Sequence, residues 1–105
     1  MDIKYAVKIS FEANSDLNEI FTYIANALSA EQTAYNLMRE IQDVILSLGE
    51  MPERFSLSLE KTLAAKDYRR ATVKKYVILY TVDGKNKTVN VARIFHGSMD
   101  YAKYI

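Results

Sequence analysis

The chain of 105 residues has no cysteine, one histidine (His96), one proline (Pro52) and three glycines. The missing cysteine excludes disulfides and thiolate metal sites. A small domain without disulfides leans to a reducing compartment, so the cytoplasm is the expected location. No two acidic residues lie at metal-ligand spacing with the lone histidine, so no metal is expected, nor any other cofactor or small-molecule ligand. No apolar run approaches the roughly 18 residues of a membrane span. The opening stretch MDIKYAVKIS lacks the apolar h-region of a secretory leader and reads as a strand. The length fits a single domain over residues 1–105, with one core and no linker.

Charge is nearly balanced overall but not along the chain. Residues 1–60 carry Lys4, Lys8, Arg39 and Arg54 against ten acidic residues, whereas residues 61–105 carry ten basic residues against Asp67, Asp83 and Asp100. An acidic half and a basic half predict two unlike surfaces, the basic one suited to phosphate or to an acidic protein partner.

Hydrophobic spacing supplies the elements. Ile3, Tyr5, Val7 and Ile9 alternate with polar or small residues, which predicts a half-buried strand over 3–11. Leu17, Ile20, Phe21, Ile24 and Leu28 then recur at three and four, predicting an amphipathic helix over 12–28. Ser29 with Gln32 three residues on has the form of a capping box, so a second helix should start near residue 30. Ala34, Leu37, Met38, Ile41, Ile45 and Leu48 form its stripe. Gly49 should stop it in the left-handed conformation, and Pro52 prevents its continuation. Residues 49–66 have no clean period and read as loop with a short strand or turn. Three strands follow, over 68–73, 76–82 and 87–95, the last two joined by the Asp83–Asn86 turn DGKN. The predicted fold is α+β: a strand, an antiparallel helix hairpin, then a three-stranded antiparallel sheet, with both helices on one sheet face. The other face is expected to be open and edged with Lys and Arg.

In this order the residues resemble the RelE/ParE toxins of type II toxin–antitoxin systems. The likeness runs over nearly the whole chain: ISFEANSDLNEIFTYIANALS for the first helix, LGEMPERF after the second, then RRATVKKYVILYTVDGKNKTVNVARIFHG. Within the last stretch the pattern is carried by Arg70, Val73, Tyr76, Tyr80, Val82, Arg93, Ile94, His96 and Gly97. The wording is closer to ParE-like members than to RelE-like ones. The resemblance implies a growth-inhibiting toxin of the plasmid-stabilisation kind, neutralised by a cognate antitoxin, with DNA gyrase as its target. The alternatives it implies are a ribosome-dependent mRNA endonuclease, or a member of low toxicity that only binds its antitoxin. RelE-like enzymes place an arginine after the tyrosine that leads the strand, where this chain has Val77. ParE-like members often carry arginines after the His-Gly pair, where this chain has Ser98 and Met99.

The candidate site residues are Arg70, Lys75, Arg93, His96 and Tyr104. Histidine can serve as a general base near neutrality, and cleavage through a 2′-hydroxyl needs cations such as Arg93 and Lys75 for the developing charge. Arg70 and Arg93 could instead fork onto phosphate or pair with an acidic residue of the antitoxin or with Asp100. The resemblance gives Tyr104 the part of a phosphate-contacting or acid–base phenol. His96 itself is read as the residue that ends a strand and hydrogen-bonds the backbone around Gly97. Of the eight tyrosines, Tyr76 and Tyr80 share a strand face and are expected to pack in or beside the sheet rather than to stack on bases.

Overall fold

The computed structural model of the protein describes residues 4–99. Its elements are β1 (Ala6–Ile9), α1 (Phe11–Thr22), α2 (Glu31–Ser47), α3 (Lys61–Ala65), β2 (Arg69–Val73), β3 (Tyr76–Asp83) and β4 (Thr88–His96). The sheet order is β1-β4-β3-β2. β2, β3 and β4 pair antiparallel, as the hairpin pattern predicts, and β1 joins them parallel to β4. The parallel pairing follows from the connection: the helix hairpin carries the chain from β1 across one sheet face before the β2–β4 meander begins.

α1 and α2 lay their apolar stripes on the same sheet face. Leu17, Ile24, Leu37, Ile41, Ile45 and Leu48 pack there against Ala71, Val73, Ile78, Tyr80, Val89, Val91 and Ile94. Tyr80 is fully buried, and its hydroxyl donates to the Pro52 carbonyl at 2.9 Å, so the large apolar ring enters the core without an orphaned polar tip. Burial pushes its phenol above the ordinary range.

Four local expectations are corrected. The capping box does not form: Ser29 takes φ 50°, the cap position is Ala30 without a side-chain bond, and Gln32 donates to Asn36 instead. Side-chain caps lie instead on α1, where Ser10 Oγ accepts from Ala13 N at 2.9 Å, and on α3, where Glu60 accepts from Leu63 N at 3.0 Å. The first helix does not run on regularly to residue 28, because α1 widens after Thr22 into one π-helical turn, Tyr23–Ala27. Nor is the second sheet face open throughout, although Lys8, Thr72 and Asn90 are exposed on it. Val77, Leu79 and Phe95 point away from α1 and α2 and are sealed by Leu63 of the short helix α3, within the segment read as loop. Finally, no glycine has positive φ. The hairpin turn places that conformation on Lys87, with Asp83 Oδ1 accepting from Asn86 N.

Gly49 is needed for closeness rather than for handedness. A Cβ there would lie 2.9 Å from the Tyr5 carbonyl oxygen and 3.3 Å from Val7 Cγ2, because Tyr5 N donates to Gly49 O at 2.7 Å and draws the start of β1 against the end of α2. The Gly49→Ala variant should lose about 2 kcal/mol in chemical denaturation, since backbone cannot move aside as a side-chain tip can. Gly84→Ala is the control, where the added Cβ would meet only Tyr5 Oη at 3.8 Å. Equal losses in the two variants would contradict the steric explanation.

Candidate functional site

The site lies where β4 outruns β1. β1 ends at Ile9 opposite Val91, so among the described residues the outer edge of β4 has no strand beside it from Ala92 onward. α1 supplies the missing groups. Ser10 N donates to Val91 O at 3.0 Å, Ser10 Oγ donates to Ala92 O at 2.7 Å, and Asp16 Oδ2 accepts from Ile94 N at 2.9 Å. Side chains thus continue the ladder and satisfy backbone groups that would otherwise be buried unpaired.

A bulge sits at the same point. Leu79 pairs with Arg93 but Tyr80 pairs with Val91, leaving Ala92 as the extra residue. One inserted residue exchanges the faces of everything after it. Val91 faces the helices before the bulge, and Ile94 and His96 do so after it, while Arg93 and Phe95 turn to the other face. At the edge that β1 has left, Arg93 closes on Asp16 as a fork, Nε to Oδ2 and Nη2 to Oδ1, both 2.9 Å. The guanidinium also lies over the Phe95 ring at 4.6 Å. Hydrogen bonding to Asp16 holds Arg93 protonated still more firmly than usual.

His96 ends β4. Its Nδ1 accepts from Ser98 N at 3.2 Å and lies 2.7 Å from Ser98 Oγ, so in the neutral ring the proton sits on Nε2. The ring stands edge-on to Tyr76, with centroids 5.3 Å apart. The next residue, Gly97, donates to Lys75 O at 2.7 Å, and a Cβ there would crowd that oxygen at 3.2 Å. The His-Gly pair is therefore the clasp between the end of β4 and the Lys74–Lys75 turn.

Two depressions, of about 490 and 660 Å³, meet at Tyr23, Tyr76 and His96. The first runs from there toward Asp16, Glu19 and Met99, and the second toward Leu28, Leu37, Glu40, Lys74 and Lys75. Together they make one groove between the helix hairpin and the end of the sheet. Its middle is aromatic and apolar, one end is acidic and the other basic. Tyr23 is 59 % exposed and Leu28 55 % exposed, although both are large apolar residues. The π-helical turn starts at Tyr23, and a widened turn is a frequent way of presenting a side chain to a ligand. Burial, and then the neighbouring Tyr23, push the Tyr76 phenol up, so it stays protonated at neutral pH.

The sequence candidates divide among these features. His96 and Lys75 line the groove, and Arg93 lines its acidic end beside Asp16. Arg70 is elsewhere: it pairs in register with Leu79, on the face away from the groove, and its Nε is buried without a hydrogen-bond partner. Tyr104 lies outside the described residues, as does Asp100. Val77, at the position where the resemblance would put an arginine, is 2 % exposed among Leu63, Leu79 and Phe95. Sequence reasoning missed Asp16, Glu19 and Tyr23. Tyr23 stands just off the regular apolar stripe, which was a usable signal. Asp16 reads as any exposed helical acid until the free edge of β4 is known. Among the described residues no three His, Asp or Glu side chains cluster as metal ligands, and no helix is long and apolar enough to cross a membrane.

Residues 7–101 match the family model described as the ParE toxin of the type II toxin–antitoxin system, parDE. No curated protein matches the sequence. Among solved structures, a chain from the chromosomal ParDE system of P. aeruginosa is similar with a TM-score of 0.72 and 17 % identity, over 89 % of this chain and 96 % of that one. A chain from the toxin–antitoxin complex RelBE2 of Mycobacterium tuberculosis is similar with a TM-score of 0.61 and 23 % identity, over 90 % of this chain and 99 % of that one. At such identities the two structures speak to the fold, and the family rests on the model that spans β1 to the end of the described chain. The chain belongs to the ParE toxins of type II toxin–antitoxin systems.

Proposed function

We propose that this toxin acts on DNA gyrase rather than as a ribosome-dependent nuclease, and that a cognate antitoxin silences it by laying an amphipathic segment in the Tyr23–Tyr76–His96 groove. In this reading it works in the cytoplasm, inhibits growth and serves plasmid stabilisation. The observation that carries the choice of target is Val77. Cleavage through a 2′-hydroxyl needs a base together with cations held where charge develops. Here the side chain at the expected cation position is sealed under Leu63, and Arg93 is forked onto Asp16. Gyrase inhibition asks for a binding surface and no proton transfer.

Support for the docking site comes from the groove's make-up: exposed aromatic and apolar side chains in the middle, flanked by Glu19 at one end and Lys75 at the other. Aromatic anchors at the centre of an interface commonly account for 2 kcal/mol or more each. Tyr23→Ala should therefore weaken antitoxin binding by roughly 30-fold, measured by calorimetry on the pair encoded together.

The deciding experiment is induced expression with and without the neighbouring antitoxin gene, read by gyrase-linked DNA breaks and by mapping messenger ends on stalled ribosomes. DNA breaks that persist in His96→Ala are the expected result. Codon-phased messenger cuts that vanish in His96→Ala would overturn the reading. Ser98 and Met99, standing where relatives often carry arginines, favour a second reading, a member that only binds its antitoxin. Induction without growth arrest, alongside normal antitoxin binding, would select it.

A further inference from the structure

β1 is an edge strand, and among the described residues only one of its two sides pairs with another strand. Ala6 N donates to Lys87 O at 2.9 Å and Ser10 N to Val91 O at 3.0 Å, both toward β4. Lys8 lies between them and turns the same way, because alternate residues of a strand present their backbone groups to the same side. Val7 and Ile9 therefore turn their N–H and C=O groups outward. The Gly49 carbonyl closes that side only at Tyr5, and no hydrogen bond among the described residues reaches the outward groups of Val7 or Ile9. The opposite edge of the sheet differs. Along β2, Arg70 N donates to Ser56 O and Ser58 N to Tyr68 O, so residues 56–58 cover the start of that strand.

We propose that the β1 edge is a strand-addition site, separate from the groove, for an extended segment of a partner protein that alternates apolar and acidic residues. The backbone groups set the mode, since an unpaired strand edge is a template for another strand. The side chains set the partner's chemistry. Val7 and Ile9 stand in register with Val89 and Val91, on the helix side of the sheet, and Ile9 is 37 % exposed there. An added strand covers it with apolar residues. Lys8, on the other side beside Asn90, is exposed and has no ion pair among the described residues. Both charges from residue 4 to residue 10 are positive, Lys4 and Lys8, and among the described residues Lys4 reaches only Glu50, at 3.9 Å with both side chains mostly exposed. Across from Lys8 the added strand therefore carries an acid, as opposite charges directly across a ladder stabilise it.

The same lysine disfavours a second copy of this chain. The two-fold antiparallel register that uses both Val7 and Ile9 sets Lys8 across from its own copy, with Cα atoms about 4.5 Å apart. Lysine on an edge strand is a recognised guard against such self-pairing.

The test titrates the isotope-labelled chain with a blocked seven-residue peptide alternating valine and glutamate, and with its valine–lysine counterpart, read by amide exchange. Slowed exchange at Val7 and Ile9 with the glutamate peptide is expected, with the lysine peptide about fivefold weaker. Lys8→Glu should reverse that order. Ile9→Pro, which removes an outward N–H that β4 does not use, should abolish binding while far-ultraviolet circular dichroism stays unchanged. Equal binding of the two peptides, shifts confined to Tyr23 and Tyr76, or no protection at β1 would each overturn the proposal. Protection that grows with protein concentration alone would also overturn it, by making a second copy the occupant.

Discussion

Asp16→Ala should lower stability by roughly 3 kcal/mol, the range for removing one partner of a largely buried ion pair. For a domain of this size that is a fall in Tm of about 15 °C. The carboxylate is largely buried, takes two hydrogen bonds from the Arg93 fork, and is also the acceptor for Ile94 N, a backbone group on an edge that no described strand covers. Truncation removes both acceptor oxygens, and with them three hydrogen bonds, from places where water enters poorly, so the desolvation cost of the donors is no longer offset. Asp16→Asn keeps the shape and one carbonyl oxygen but loses the charge, and should fall between wild type and alanine. Thermal unfolding of the three proteins checks the order. An alanine variant within about 0.5 kcal/mol of wild type, the usual effect of a surface change, would show that α1 does not brace the edge of β4.

The second large effect is expected at Val77. Val77→Arg restores the residue type that RelE-like relatives place there, yet it should destabilise the chain by about 3 kcal/mol and create no messenger cleavage. Val77, Leu79 and Phe95 form a small apolar cluster under Leu63, away from the main core. A guanidinium placed there without a carboxylate must lose its hydration or push α3 aside. α3 spans only five residues, so pushing it aside is the expected outcome, and Leu63→Ala should then add little further loss in the Val77→Arg background. Denaturation of the single and double variants, together with mapping of messenger ends, tests both halves. A fully stable Val77→Arg that cuts messenger in phase with codons would mean that this face is a nuclease surface lacking one residue.

Much of the fold was legible in the chain because period reports burial. The change from two to three-and-four near residue 12 marks the passage from β1 to α1, and the run YVILYTV, with apolar residues on both faces, fits a central strand at β3. That second observation already conflicted with an open sheet face. The cover, α3, was too short to leave a helical period. The capping box failed for a related reason: Ser29 and Gln32 have the right spacing, but the π-helical turn brings the chain into the reversal at Ser29 with φ 50°, where the box cannot close.

The site was legible only in part. His96, Gly97 and the Lys74–Lys75 turn stood out as residue types, and their closeness follows from a two-residue hairpin whose neighbouring strand ends beside it. Which face each residue of β4 takes was decided by the bulge at Ala92, because one extra residue reverses the alternation and nothing in VARIFHG announces it. The sequence by itself determined the element types, the helix hairpin over a meander and the likeness to a toxin family. These rest on short-range periodicity and on residue order. Tertiary structure alone decided that Arg93 would meet Asp16 across 77 positions of chain, that Val77 would be sealed, and that β1 would have one side unpaired among the described residues. Each of these depends on where one strand stops relative to another, a long-range register that local hydrophobic pattern does not encode.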